Sequence, residues 1–234
     1  MKTCKALLLV LTVMVLMFSC EKEAMDPVQA NKDLEPTFAV PEIPDDIAAW
    51  MSEDDILRFM AGPGQEYNLE SELKSARRCK WHPILMKLEF HLQIWPISTC
   101  DTWSGIPCFP PDCMPMGACG VTVADGNWFY RSVHSEYYPV FCFPDYAGHG
   151  QGFHETTQGK LWYSGENTPF KVDEAGNSTF RLHGRFSGDQ STGVFEGASG
   201  WEIMISYTSA ENSPSNSPNG QGMSTVIIFG WVSY

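Results

Sequence analysis

A strict alternation of apolar and polar positions begins shortly after Cys79 and is the clearest pattern in the chain. Apolar side chains occupy every second position of this segment: Ile84, Met86, Leu88, Phe90, Leu92 and Ile94. The positions between them are polar from Lys87 onward. Because successive side chains point to opposite faces of a strand, the pattern predicts one long β-strand with a single apolar face. Strands of this length are typical of closed barrels and large sandwiches.

The alternation returns at 179–187, and shorter apolar segments follow one another along the rest of the chain. In the second segment the alternating residues are Phe180, Arg181, Leu182, His183, Arg185 and Phe186. Further strands are predicted at 120–124, 128–133, 159–164, 170–172, 193–196, 201–208 and 223–234. Turn-forming clusters such as Asp125-Gly126-Asn127 separate them. This succession predicts an all-β fold, an antiparallel up-and-down β-barrel of about eight strands at 79–234.

A helical pattern precedes the strands. Residues 45–60 carry apolar side chains at helical spacing, with a Ser52-x-x-Asp55 capping box inside the segment. They predict two short helices, or one helix bent at Ser52, within a short helical segment at 45–78. Packing on the following domain and binding of a partner protein are both open interpretations of this segment. Upstream, prolines and scattered charges predict a flexible tether at 20–44.

The first residues have the pattern of a targeting signal. Lys2 and Lys5 precede an apolar run at 6–18, which is too short to cross a bilayer of about 30 Å at about 1.5 Å per residue. The following Met17-Phe18-Ser19-Cys20 resembles the lipobox of bacterial lipoproteins, although Met17 stands where that family usually has Leu. The resemblance implies a lipoprotein signal peptide at 1–19 and a Cys20 lipidated with fatty acyl chains such as palmitate. A plain secreted protein cleaved nearby is the alternative.

The residues after Cys20 indicate a destination. Glu21-Lys22-Glu23 resembles the export signals that send lipoproteins of Bacteroidetes to the outer face of the outer membrane. The resemblance implies a protein that is lipid-anchored to the outer membrane of a Gram-negative bacterium, with exposure on the cell surface as a further expectation. A solvated tether explains the same three residues.

A resemblance to a known group of barrels covers 148–234. Phe186-Ser187-Gly188 and the segment at 191–200 look like the G-T-G-x-F-x-G-A-x-G segment of small exported bacterial β-barrel proteins, and the allene oxide cyclase and dirigent barrels have a similar segment. Upstream, Gly150-Gln151-Gly152 and the residues up to Gly159 resemble that group's G-x-G-x-x-T-H-x-G segment, with Thr157 where the group has His. The resemblance implies a calycin-like barrel, and in the bacterial group it brings no established activity.

Six cysteines remain when the signal and the lipid-attachment site are set aside: Cys79, Cys100, Cys108, Cys113, Cys119 and Cys142. An even number in an exported protein predicts disulfide bonds, here three, whose pairing the sequence leaves open. Four of the six lie in a proline-rich stretch at 100–119, where each cross-link would contribute about 2 to 4 kcal/mol. A zinc site formed by these four is the alternative, although their spacing is wider than that of structural zinc ligands.

Composition narrows the possible partners and chemistry. Of 234 residues, 43% are hydrophobic, and 15 basic against 28 acidic side chains give a net charge of -13, which argues against nucleic acid as a partner. The sequence has no HExxH, P-loop, dinucleotide-binding, G-x-S-x-G or EF-hand motif. No catalytic residue, cofactor or metal is therefore predicted. His149 and His154 are interpreted as residues of a solvated Gly-rich loop rather than as metal ligands.

Arg181, His183 and Arg185 are the candidate ligand-binding residues. A strand face that carries them into the barrel would bind a carboxylate or supply an acid and a base, whereas an outward face would place them in solvent. We expect a non-enzymatic binding or interaction module that is attached to the membrane by its lipid anchor. Its ligand would be a small apolar molecule, a glycan or a surface protein, held in the barrel interior or by the cross-linked loop at its rim. The alternative is an isomerase or cyclase resembling allene oxide cyclase.

Overall fold

The computed structural model of the protein describes residues 40–63, 80–96, 117–128, 131–142, 147–169 and 171–234. Two helices come first, α1 (Asp45–Ala48) and α2 (Glu53–Met60). Nine strands follow within these ranges: β1 (Trp81–Pro96), β2 (Gly117–Trp128), β3 (Arg131–Cys142), β4 (Ala147–Thr156), β5 (Gly159–Asn167), β6 (Lys171–Val172), β7 (Ser178–Phe186), β8 (Ser199–Thr208) and β9 (Gln221–Ser233). None of the helices in these ranges is long and apolar enough to span a membrane.

The strands form one closed barrel. Each of β1 to β4 pairs antiparallel with the next strand, as do β7 and β8, and β9 pairs back with β1. Pairing of β5 with β7 completes a ring of eight strands, and the two-residue β6 pairs with β7 beside the ring. The prediction of an antiparallel up-and-down barrel of about eight strands is confirmed. Closure gives every strand of the ring a hydrogen-bonded neighbour on both sides.

The apolar face of β1 lines the barrel interior, as its alternation predicts. Ile84, Met86 and Phe90 are at most 1% exposed and belong to one interior cluster. Inward-facing side chains of the other strands complete this cluster, among them Val133, Leu161, Leu182, Met204, Val226 and Ile228. Removal of this apolar surface from water is the main favourable contribution to folding of the barrel.

The outer face of β1, β8 and β9 is also apolar, and it lies beneath the two helices. Ile47 of α1 and Phe59 of α2 pack in a second cluster with strand residues of this outer face. These strand residues are Leu85, Trp201, Ile203, Ile227, Phe229 and Trp231. Trp231 Nε1 donates a hydrogen bond to the Phe59 carbonyl at 3.0 Å, and the predicted capping box of Ser52 and Asp55 is present at the start of α2. The predicted helices therefore pack on the barrel.

Several predicted segments differ from the structure, and most of β3 and all of β4 lie at 134–156, where no strand was predicted. Asp125-Gly126-Asn127, predicted as a turn, lies inside β2 because Gly126 leaves room for Leu88, and a Cβ on this glycine would lie 1.9 Å from Leu88 Cδ2. The segment at 193–196, predicted as a strand, instead contains a 3₁₀ turn that buries Phe195 in the barrel interior. The predicted strand at 128–133 is divided between the end of β2 and the start of β3.

Candidate functional site

A hydrogen-bonded chain of three polar side chains crosses the barrel interior from β3 through β4 to β8. His154 Nδ1 lies 2.9 Å from Ser135 Oγ, and His154 Nε2 lies 2.8 Å from Glu202 Oε2. All three side chains are 0% exposed. If the Glu202 carboxylate accepts from Nε2–H, the Nδ1 atom of a neutral ring accepts from the Ser135 hydroxyl. Hydrogen bonding of this kind is what permits polar groups to lie inside an apolar core.

Two tyrosines and an asparagine extend this polar region. The Tyr163 ring stacks on the His154 imidazole with centroids 4.8 Å apart, and it also stacks on Tyr137 at 6.2 Å. Tyr137 donates its hydroxyl hydrogen to Asn167 Oδ1 at 2.6 Å. Burial, followed by the nearby charge of Glu202, raises the pKa of Tyr163 well above its usual value, so this phenol stays protonated.

A transverse row of glycines makes room for these polar side chains. Gly150, Gly165 and Gly184 are direct partners across β4, β5 and β7, and Glu202 of β8 continues the row. A Cβ on Gly150 would lie 2.4 Å from the Tyr137 hydroxyl, and a Cβ on Gly184 would lie 2.9 Å from Glu202 Cγ. Because real Cβ atoms do not approach so closely, the glycines allow the barrel to hold large polar side chains.

The interpretation of His149 and His154 as residues of a solvated loop is wrong. Both lie in β4, where consecutive side chains alternate across the sheet, so an odd and an even position face opposite ways. His149 is exposed, whereas His154 is fully buried. Within the described ranges, no group of three His, Cys, Asp or Glu side chains is placed to hold a metal ion.

A second polar region lies on the outside of the barrel, across β3, β4, β5 and β7. Two neighbouring cross-strand rows form it, one running from Val140 through His149 and Glu166 to His183, and the other from Tyr138 through Gln151 and Ser164 to Arg185. These residues line a cavity of about 740 Å³, hereafter the outer groove. Its volume lies within the range of about 300–1,000 Å³ that small-molecule sites occupy.

The structure separates the three predicted ligand-binding residues. Arg181, His183 and Arg185 all project from the outer face of β7, while Leu182 between them is buried in the interior cluster. Arg181 donates two hydrogen bonds to the Asp55 carboxylate of α2, one of them 3.0 Å long, and thereby joins the helices to the barrel. His183 and Arg185 line the outer groove. The interpretation that these cations line the barrel interior is therefore not supported.

The two polar regions offer different chemistry. The chain of Ser135, His154 and Glu202 combines a hydroxyl, a base and a carboxylate, but its side chains have no exposed surface. Exposed groove side chains such as Glu166, His183 and Arg185 bring donors and acceptors to one cavity. The sequence indicated His183 and Arg185 as candidate residues but not the groove that they line, and it did not indicate the interior chain. A signal of that chain in the sequence is the carboxylate of Glu202 between the apolar residues Trp201 and Ile203.

Most of the predicted cysteine chemistry falls outside the described part of the chain. Cys20, Cys79, Cys100, Cys108 and Cys113 lie outside the described residues, as does the side chain of Cys142. Cys119 is buried in β2 and forms a disulfide bond. The prediction of three disulfides among the six cysteines stays a prediction.

No protein-family model matches the chain, and no curated protein or solved structure shows significant similarity to it. The resemblance to exported bacterial barrels and to allene oxide cyclase therefore rests on the motifs at 148–200 and on the barrel architecture. Similar barrels host carriers, isomerases and structural proteins, so the architecture by itself does not assign a function.

Proposed function

We propose that the protein is a non-enzymatic binding module of the bacterial envelope, anchored through a lipid on Cys20, and that the outer groove binds a short glycan. The observation that carries the proposal is the pair of polar rows across four strands, which face one cavity of about 740 Å³. We also propose that the protein is related to the exported bacterial β-barrel proteins that its motifs resemble.

The side chains of the groove suit a ligand rich in hydroxyl groups. Gln151 supplies an amide and Ser164 a hydroxyl, Glu166 is an acceptor, and Arg185 is a permanent cation with several N–H donors. A sugar hydroxyl both donates and accepts, so it can pair with each of these groups, while Tyr138 and Val140 give the groove an apolar wall. Within each row, residues on neighbouring strands lie about 4.8 Å apart. This spacing places polar groups along the length of an extended ligand.

The barrel interior is filled by packed side chains, which argues for the outer groove and against an interior site for an apolar ligand. Met86, Phe90 and Phe195 lie in the interior and are each 1% exposed. The second candidate, an isomerase or cyclase, is favoured by the acid–base pair of His154 and Glu202 inside the barrel. A substrate would reach that pair only if packed side chains moved aside.

Binding to an array of neutral and uronic acid oligosaccharides, followed by titration calorimetry with the best ligand, tests the proposed groove. We expect His183→Ala and Arg185→Ala to weaken binding at least about tenfold each, because each removes hydrogen bonds to the ligand. His91→Ala is the matched control, since His91 is exposed on β1 outside the groove lining. Binding that survives both groove variants and is lost in Glu202→Gln would contradict the groove and support the interior candidate.

The lipid anchor is tested separately by Cys20→Ala. A single acyl chain binds membranes only marginally, so we expect several chains on Cys20 and complete dependence of membrane attachment on this residue. The variant should move from the membrane fraction to the soluble fraction, as followed by immunoblotting. Unchanged attachment would show that the lipobox interpretation is wrong.

A further inference from the structure

A second cavity lies at the barrel end where β1 begins and β2 ends. Its volume is about 340 Å³, and its walls come from β1, β2, β3 and β4, from Pro41 before α1, from Phe195 of the 3₁₀ turn and from Tyr234. This end pocket shares no lining residue with the outer groove. It is therefore a separate place for a ligand, and its occupancy does not depend on the function proposed for the groove.

A continuous row of rings forms the floor of the end pocket. His82 stacks on Tyr234 with centroids 4.4 Å apart, Tyr234 meets Phe195 edge to face at 4.9 Å, and Phe195 stacks on Trp128 at 6.1 Å. Trp128 Nε1 donates to the Pro83 carbonyl at 3.0 Å, which holds the indole in place. Phe195 and Trp128 are 1% and 6% exposed, so the flat apolar surface that a ligand can reach comes from the half-buried His82 and Tyr234.

The rim of the end pocket is cationic. Arg131 lines the pocket and is exposed, and its Nη1 donates to Gln158 Oε1 at 2.7 Å. Burial lowers the pKa of His82, and the positive charges of Lys80 and Arg131 lower it further, which reflects their proximity to this ring. The cationic rim attracts anions to the end pocket even though the net charge of the chain is -13.

We infer that the end pocket binds a small organic anion with a flat apolar body, the carboxylate on Arg131 and the body against the ring of Tyr234. A guanidinium has five N–H donors in a planar fork, so one bond to Gln158 leaves donors for a carboxylate. The volume of about 340 Å³ suits a ligand of one or two rings.

Benzoate is the probe, and benzyl alcohol is its uncharged counterpart. Two-dimensional NMR titration of the full exported chain should move the signals of the Trp128 indole N–H and of Tyr234. We expect benzyl alcohol to bind at least about tenfold more weakly than benzoate, because it lacks the charge-assisted hydrogen bonds. Equal binding of both probes, or no shift of the end-pocket signals with benzoate, would overturn the inference.

Two matched arginine variants locate the anion. Arg131→Gln should weaken benzoate binding at least about fivefold, and Arg131→Lys should restore part of the loss because it keeps the charge without the planar fork. Arg185→Gln, which removes the same side chain from the outer groove, should leave benzoate binding unchanged. Loss of binding in Arg185→Gln with retention in Arg131→Gln would place the anion in the groove and refute the end pocket. Glycan binding to the groove can fail while benzoate binding to the end pocket succeeds, so the two proposals are tested independently.

Discussion

The outer faces of the two sides of the barrel differ, although both sides are built from antiparallel strands of the same ring. On the covered half, formed by β1, β8 and β9, the outer face carries Ile203, Phe229 and Trp231 and is buried beneath α1 and α2. On the polar half, formed by β3, β4, β5 and β7, the outer face carries the exposed residues of the groove, including His149 and Arg185. The outer face is therefore covered and apolar on one half, and exposed and largely polar on the other.

The difference also appears inside the barrel. Glu202 belongs to the covered half, yet its carboxylate reaches across the interior to His154 of the polar half. Gly184 of β7 leaves room for Glu202, and Gly150 of β4 leaves room for Tyr137. The two halves therefore meet inside the barrel in a hydrogen-bonded chain of buried side chains, and single substitutions on each half test what each contributes.

The largest effect is expected at the centre of the covered half. Trp231 is 0% exposed and donates to the Phe59 carbonyl, so Trp231→Ala should lower the free energy of unfolding by about 3–5 kcal/mol in urea denaturation. Trp162→Ala is the control on the polar half, where Trp162 is only half-buried on β5. A similar loss in both variants would show that the two halves do not differ in their contribution to stability.

An intermediate effect is expected from the interior chain. His154→Leu leaves Ser135 Oγ and Glu202 Oε2 without their shared partner, and it should cost about 1–3 kcal/mol of unfolding free energy. His149→Leu changes the same side chain on the exposed face of the same strand, so its effect should stay within about 0.5 kcal/mol. Chemical denaturation of both variants makes the comparison, and equal losses would mean that the buried chain adds nothing specific.

The smallest effect concerns the contact that ties the helices to β7. The Asp55 side chain is 3% exposed and Arg181 is its cationic partner, so Arg181→Gln should cost about 1–2 kcal/mol at neutral pH. Asp46→Asn removes the exposed pair of Asp46 with Lys87 and should have almost no effect. Urea denaturation of the two variants compares a shielded with an exposed helix–barrel contact.

The same contact predicts a pH dependence. Burial by itself would raise the pKa of Asp55, but hydrogen bonds from Arg181 and Ser52 outweigh it and hold the pKa below its usual 3.8. The stability from this carboxylate is therefore complete above pH 3.8 and is lost as the pH falls through the lower pKa of the folded state. The difference between wild type and Arg181→Gln should shrink below about pH 4, as denaturation at several pH values would show. A constant difference would contradict the ion pair.

Local patterns were sufficient for much of the barrel because one face of each strand is apolar. The alternation from Ile84 to Leu92 identified the inner face of β1, and the Ser52 capping box identified the start of α2. Turn chemistry was a weaker guide. Gly126 looked like part of a turn, but its missing Cβ serves the packing of Leu88 on the neighbouring strand. That use of a glycine depends on a side chain far away in sequence.

The interior chain of Ser135, His154 and Glu202 is the clearest example of a feature that could not be predicted from sequence patterns. Strand β8 has apolar residues of both parities, Ile203 and Met204 among them, so its pattern does not say which face points inward. In the structure, the helices cover Ile203 on the outer face of β8, so both faces of this strand are buried. Because adjacent residues of a strand face opposite sides, Glu202 points into the barrel. Residues Ser135, His154 and Glu202 are far apart along the chain, and only the cross-strand register brings their polar atoms within hydrogen-bond distance.

Alternation, spacing and turn residues were enough to establish an all-β barrel with two helices before it, because each of these signals acts between residues close in sequence. Barrel closure through β5 and β7, the covering of one outer face and the separation of Arg181 from His183 were decided by tertiary structure. These outcomes depend on which surfaces meet across the barrel. The sequence of one strand does not specify which distant segments it will contact. For that reason the architecture could be predicted from the sequence, whereas the polar sites could be identified only from the folded structure.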